Sequence, residues 1–127
     1  MINIDEYRYL PDSMEQSEIE KQLIYILDGF SDVRNPEILE CIWELLLRQG
    51  NNPGLLTDSV SQKLSNYLMF AWDKNSPETT DTCLSIAINM KLEEFYQYVL
   101  KESKSLSNNK VLNEIQNYID EFGFSTR

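Results

Sequence analysis

A chain of 127 residues with 21 acidic and 11 basic side chains carries a formal net charge of −10. Its length suits one domain over residues 1–127, and 42% hydrophobic residues can bury a core without a disulfide or metal staple. This balance excludes direct binding of nucleic acid, which needs clustered Lys and Arg, and no apolar run approaches the ~20 residues of a membrane span.

Residues 1–12 stand apart from the rest of the chain. Ile2, Ile4, Tyr7 and Tyr9 are interspersed with polar residues before Leu10-Pro11. This is either a short extended arm or a frayed first helix. The start Met1-Ile2-Asn3-Ile4-Asp5-Glu6 lacks the basic, then apolar, pattern of a secretory signal, so the expected location is the cytoplasm.

From Ser13 the apolar period is helical. Ser13 to Gln16 and Ser17 to Glu20 each fit a capping box. Ile19, Leu23, Ile26, Leu27 and Phe30 then line one face, and Gly29 is a natural stop. Asn35-Pro36-Glu37 opens a second helix with a cap, a proline at the first position and an acid in the first turn. Ile38, Leu39, Ile42, Leu45 and Leu46 form its apolar face. Gly50 ends it, and Asn51-Asn52-Pro53-Gly54 is a turn.

A third helix starts after Thr57 or Asp58, with Val60, Leu64, Tyr67, Leu68 and Ala71 on one face. Met69, Phe70 and Trp72 widen its apolar arc, which places it centrally, packed on more than one side. Ser76-Pro77-Glu78 repeats the proline opening, with Cys83, Leu84, Ala87, Ile88 and Met90 facing inward. A break at Asn89–Lys91 leads to a fifth helix with Leu92, Phe95, Tyr96, Val99 and Leu100. A sixth places Val111, Leu112, Ile115, Tyr118, Ile119 and Phe122 on one stripe and closes at Gly123. The starts at Asn35 and Ser76 are 41 residues apart, and Asn109 comes 33 residues after Ser76. Such spacing suits stacked helix pairs. The expectation is all-α, about six helices in a short α-α superhelix of HEAT or armadillo type, with a closed bundle as the second choice.

The chemistry of catalysis is thinly represented. Histidine is absent, and Cys41 and Cys83 have no base to activate them. The four glycines read as stops and turns rather than a phosphate loop. His/Cys counts do not support a metal centre, and an Asp-rich calcium loop is missing. The expectation is therefore a chain that is not an enzyme and holds no cofactor, with both thiols buried and reduced.

Charge is uneven along the sequence. Residues 1–44 hold 11 acids against Arg8, Lys21 and Arg34, a net −8. The rest holds 10 acids against 8 bases, a net −2. Glu37, Glu40 and Glu44 share one helical face at i, i+3 and i+7, and Asp28 and Asp32 in the preceding stretch extend it. This stripe is either a solvated outer face or a docking surface for a basic partner. Trp43, Trp72, Tyr25, Tyr98 and Phe124 fall at the margins of their stripes, where aromatics either finish a core or anchor an interface. Trp72 joins the five acids as a candidate partner-binding residue.

The run Asn35-Pro36-Glu37-Ile38-Leu39-Glu40, continuing through Leu84-Ser85-Ile86-Ala87-Ile88-Asn89-Met90-Lys91-Leu92-Glu93-Glu94-Phe95, is similar to the helix–turn–helix units of small acidic immunity proteins. These belong to bacterial polymorphic toxin and contact-dependent growth inhibition systems. The resemblance extends loosely over residues 17–122 and lies in size, acidity and short capped helices. It implies a protein that binds a cognate basic toxin domain, often a nuclease, and blocks its active site. It carries over no site residue. The alternative is a HEAT-like adaptor or a subunit of an intracellular complex.

Overall fold

The computed structural model describes residues 3–11, 13–49 and 56–123. Over these residues the chain is all-α, with seven α-helices rather than six. They are α1 (Ile4–Arg8), α2 (Gln16–Gly29), α3 (Pro36–Leu46), α4 (Asp58–Ala71), α5 (Pro77–Met90), α6 (Glu93–Ser103) and α7 (Asn109–Phe122). A 3-10 turn, Leu47–Gln49, continues α3. The expected stop at Gly50, the turn at residues 51–54, and Phe124 lie outside the described residues.

The additional helix is α1. Asn3 caps it by accepting the Asp5 N–H at 2.9 Å. Five residues make too little helix to persist alone, so α1 depends on its packing against α3, where Tyr7 is buried.

Local chemistry sets most other boundaries. Asn35 accepts the Glu37 N–H at 2.9 Å, and Pro36 occupies the first turn of α3, where no N–H is needed. Ser76 caps α5 through the Thr79 N–H at 3.1 Å, and Asn108 caps α7 through Lys110 and Val111. At the α5–α6 break, Lys91 takes a left-handed conformation at φ 56°, ψ 47°. The Leu92 N–H then returns to the Ala87 carbonyl at 2.9 Å, turning the chain directly into α6.

The start of α2 differs from expectation. Neither Ser13 nor Ser17 caps it. Glu15 stands at the N-cap position without a side-chain hydrogen bond. The reason is tertiary: the Met14 N–H donates to the Arg48 carbonyl at 3.1 Å, which holds the approach to α2 against the end of α3.

The packed interfaces sort the helices into two layers. One runs α1–α3–α5–α7 and the other α2–α4–α6, with α2·α3, α4·α5, α5·α6 and α6·α7 joining them. Successive helices thus alternate between layers, the arrangement of a short α-α superhelix. The apolar faces meet between the layers in one core that includes Ile19, Leu23, Ile42, Leu64, Leu68, Leu84, Phe95 and Val111. Complete burial of each such side chain contributes roughly 1.5–3 kcal/mol. α4 is the middle helix of its layer, as its wide apolar arc requires. α3 and α5 are embedded just as fully, each flanked within its layer and covered by the other. Cys41 and Cys83 are buried and free.

Candidate functional site

Glu37, Glu40 and Glu44 do share one face of α3, but α1 lies along it. The Glu37 carboxylate accepts the Ile4 N–H at 3.3 Å, Glu40 stands 3.8 Å from Arg8, and Glu44 pairs with Arg48 at 3.0 Å. The stripe is therefore a seam within the molecule as well as a source of negative charge. Arg48 organises its far end. It is 8% exposed, and its guanidinium also donates to the carbonyls of Arg8 (2.8 Å), Leu10 (3.4 Å) and Glu44 (3.0 Å). One buried side chain thus ties α1, its trailing loop and α3 together.

The other candidates separate from this seam. Asp28 is exposed and pairs with Lys63 of α4 at 2.8 Å. Asp32 is exposed in the α2–α3 loop. Trp72 is 5% exposed, and its indole N–H donates to the Thr80 hydroxyl at 2.9 Å. Its ring stands edge-on to Phe95 and Tyr98. Trp72 completes the core at the floor of a groove of about 500 Å³, bordered by Arg34, Phe70, Lys74 and Tyr98. Both cations there are engaged: Arg34 lies over Phe70 and donates to its carbonyl, and Lys74 pairs with Glu102. Among the marginal aromatics that lie in the described residues, Tyr25 is the one most open to solvent, at 68%.

A surface that the sequence stripes do not predict runs across α3, α5 and α7. Trp43, Ser85, Ile88, Asn89, Tyr118 and Phe122 line a depression of about 200 Å³. Tyr118 and Phe122 stack at 5.6 Å, and Phe122 is 49% exposed, so the last part of the α7 stripe faces outward rather than into the core. The Tyr118 hydroxyl donates to the Asp81 carboxylate and lies 2.6 Å from the Ser85 hydroxyl. This orients the phenol and pins α7 to α5.

Acids of the same three helices group in pairs and triplets, and one of them, Asp81, reaches the depression through Tyr118. Glu40 and Glu78 border a shared hollow between α3 and α5. Burial, then the charges of Asp81 and Glu78, raise the pKa of the Glu114 carboxyl. Helical spacing marks Glu114, Tyr118 and Phe122 as one stripe of α7, and Asp81, Ser85 and Ile88 as one of α5. Their adjacency depends on the order of helices within a layer, which periodicity does not encode.

Among the described residues, no helix is long and apolar enough to cross a membrane, and no group of three or more His, Cys, Asp or Glu could hold a metal ion. Comparison with protein-family models, with curated proteins and with solved structures finds no match for the chain.

Proposed function

We propose that the chain is an immunity protein, an inhibitor that binds a basic toxin domain such as a nuclease and blocks its active site. The observation that carries this reading is the grouping of Glu78, Asp81 and Glu114 between α5 and α7, with Glu40 of α3 sharing a hollow with Glu78. The raised pKa of Glu114 reflects burial first and then repulsion from Asp81 and Glu78, and a cationic partner would relieve the repulsion. The net charge of −10 adds a long-range field that speeds encounter with such a partner.

A second reading, a HEAT-like adaptor or complex subunit, draws on the alternating two-layer stack, because such stacks present extended binding faces. Co-expression separates the two. An immunity protein restores growth to bacteria producing the toxin domain encoded immediately upstream of its gene. No rescue, or no toxin gene at that position, would favour the adaptor.

A further inference from the structure

The geometry points to the outer face of α3, α5 and α7 as a docking surface for a basic segment of a partner protein. That segment seats one apolar side chain between Trp43, Ile88, Tyr118 and Phe122 and sets Lys or Arg against Glu78, Asp81 and Glu114. This inference rests on the proposal that the chain acts by binding a basic partner, and is indifferent to whether that partner is a toxin.

Three features select this occupant. The depression, about 200 Å³, is the size of one or two side chains rather than of a folded ligand, and three of its walls are aromatic. Aromatic side chains of this kind dominate binding energy where an anchor excludes water. The stacked Tyr118–Phe122 pair is held in place by the Tyr118–Asp81 hydrogen bond, so the wall is ordered before a partner arrives. Finally, Asp81 holds the Tyr118 hydroxyl at the edge of the depression, and Glu78 and Glu114 act in the same place. Lys or Arg at the Tyr118 side of the anchor therefore meets complementary charge, whereas Lys91 borders Ile88 and Phe122 at the other. An acidic or neutral segment would meet repulsion or no attraction. Backbone pairing plays no part, because the helices expose no sheet edge. Recognition rests on the anchor and the charges.

The test uses the intact chain and a synthetic helical peptide of roughly sixteen residues built from Lys and Leu, with a Glu/Leu peptide of the same pattern as control. Trp43 borders the depression and supplies a fluorescence signal. Binding of the Lys/Leu peptide should shift tryptophan emission, and Trp43→Phe should remove that shift. Phe122→Glu and Ile88→Glu should each weaken binding by on the order of tenfold or more. Both add negative charge, so non-specific attraction to an acidic protein would leave affinity unchanged or raise it. Phe122→Glu alters a half-exposed side chain, which keeps the test valid if Ile88→Glu fails to fold. Failure of the Lys/Leu peptide to bind, equal binding of the Glu/Leu peptide, or undiminished binding by Phe122→Glu would overturn the proposal. Peptide binding without growth rescue would retain this docking face and remove the toxin.

Discussion

Arg48 shows how much one side chain can decide. Its guanidinium satisfies carbonyls of Arg8, Leu10 and Glu44 and also the Glu44 carboxylate, all at the join of α1 and α3. Arg48→Met keeps apolar volume but strands those acceptors, and should cost about 3 kcal/mol, read as a lower denaturant midpoint. The opposite sign is expected at Lys91. Its left-handed backbone strains a residue with a Cβ, so Lys91→Gly should stabilise the fold by roughly 0.5–1 kcal/mol. A lower midpoint for that variant would mean the Lys91 side chain contributes more than its backbone strain costs. Buried acids set the alkaline limit. Burial foremost moves Cys41 from 9.0 to about 12, and Tyr7, Tyr67 and Tyr96 from 10.0 to about 12. Each folded value lies above the unfolded one. The stability these groups contribute is complete below about pH 9 and is lost as pH rises toward 12. Thermal melting should therefore be level between pH 7 and 9 in this respect and decline above.

At the scale of elements, α1 is the weakest part of the stack. It is five residues long and docks through Tyr7, and it lies over Cys41, which feels the charges of Glu6 and Arg8. Short docked segments open locally at lower cost than the fold as a whole. A thiol reagent should modify Cys41 well before Cys83, and Tyr7→Ala should accelerate Cys41 alone. Equal rates for both thiols would show that α1 does not open independently. The helices from α3 onward were legible from their apolar period. For α3, α5 and α7, caps at Asn35, Ser76 and Gly123 agree with it, while Thr57 marks the start of α4 without a side-chain cap bond. α1 was not, since its alternating pattern suits a strand equally well and its stability comes from α3. The Ser13 and Ser17 caps misled because Met14 is bound to Arg48, a contact 34 residues away along the chain. The acidic stripe of α3 was correctly phased but incompletely read. Periodicity places Glu37, Glu40 and Glu44 together, yet cannot reveal that α1 lies on them or that Glu78 of α5 shares a hollow with Glu40. Trp72 has the composition of an interface anchor, and only its bond to Thr80 assigns it to the core.

At the scale of the molecule, packing α7 against α5 brings Glu78, Asp81 and Glu114 together, with Asp81 bonded to Tyr118 at the edge of an aromatic depression. Residues 1–44 hold the larger share of the net charge by sequence, but the face draws on α5 and α7 as well. Charge reversal at Glu37 would disturb the α1 seam, so a clean probe of binding lies elsewhere. Glu78→Lys/Glu114→Lys leaves Arg48, Tyr118 and Asp81 in place and exchanges repulsion with Asp81 for attraction, against the same burial cost, so its melting temperature should stay close to that of the parent chain. The proposed capture of a basic toxin domain by this acidic face is tested most directly by kinetics. The quantity to measure is the association rate of the purified chain with the basic toxin domain it is proposed to inhibit, as a function of salt. One-to-one inhibition is expected, with a rate that falls by on the order of tenfold between low and high salt. Glu78→Lys/Glu114→Lys should associate more slowly at low salt while folding normally. A rate indifferent to salt, or a charge-reversed chain that binds as fast as its parent, would rule out electrostatic capture by this face.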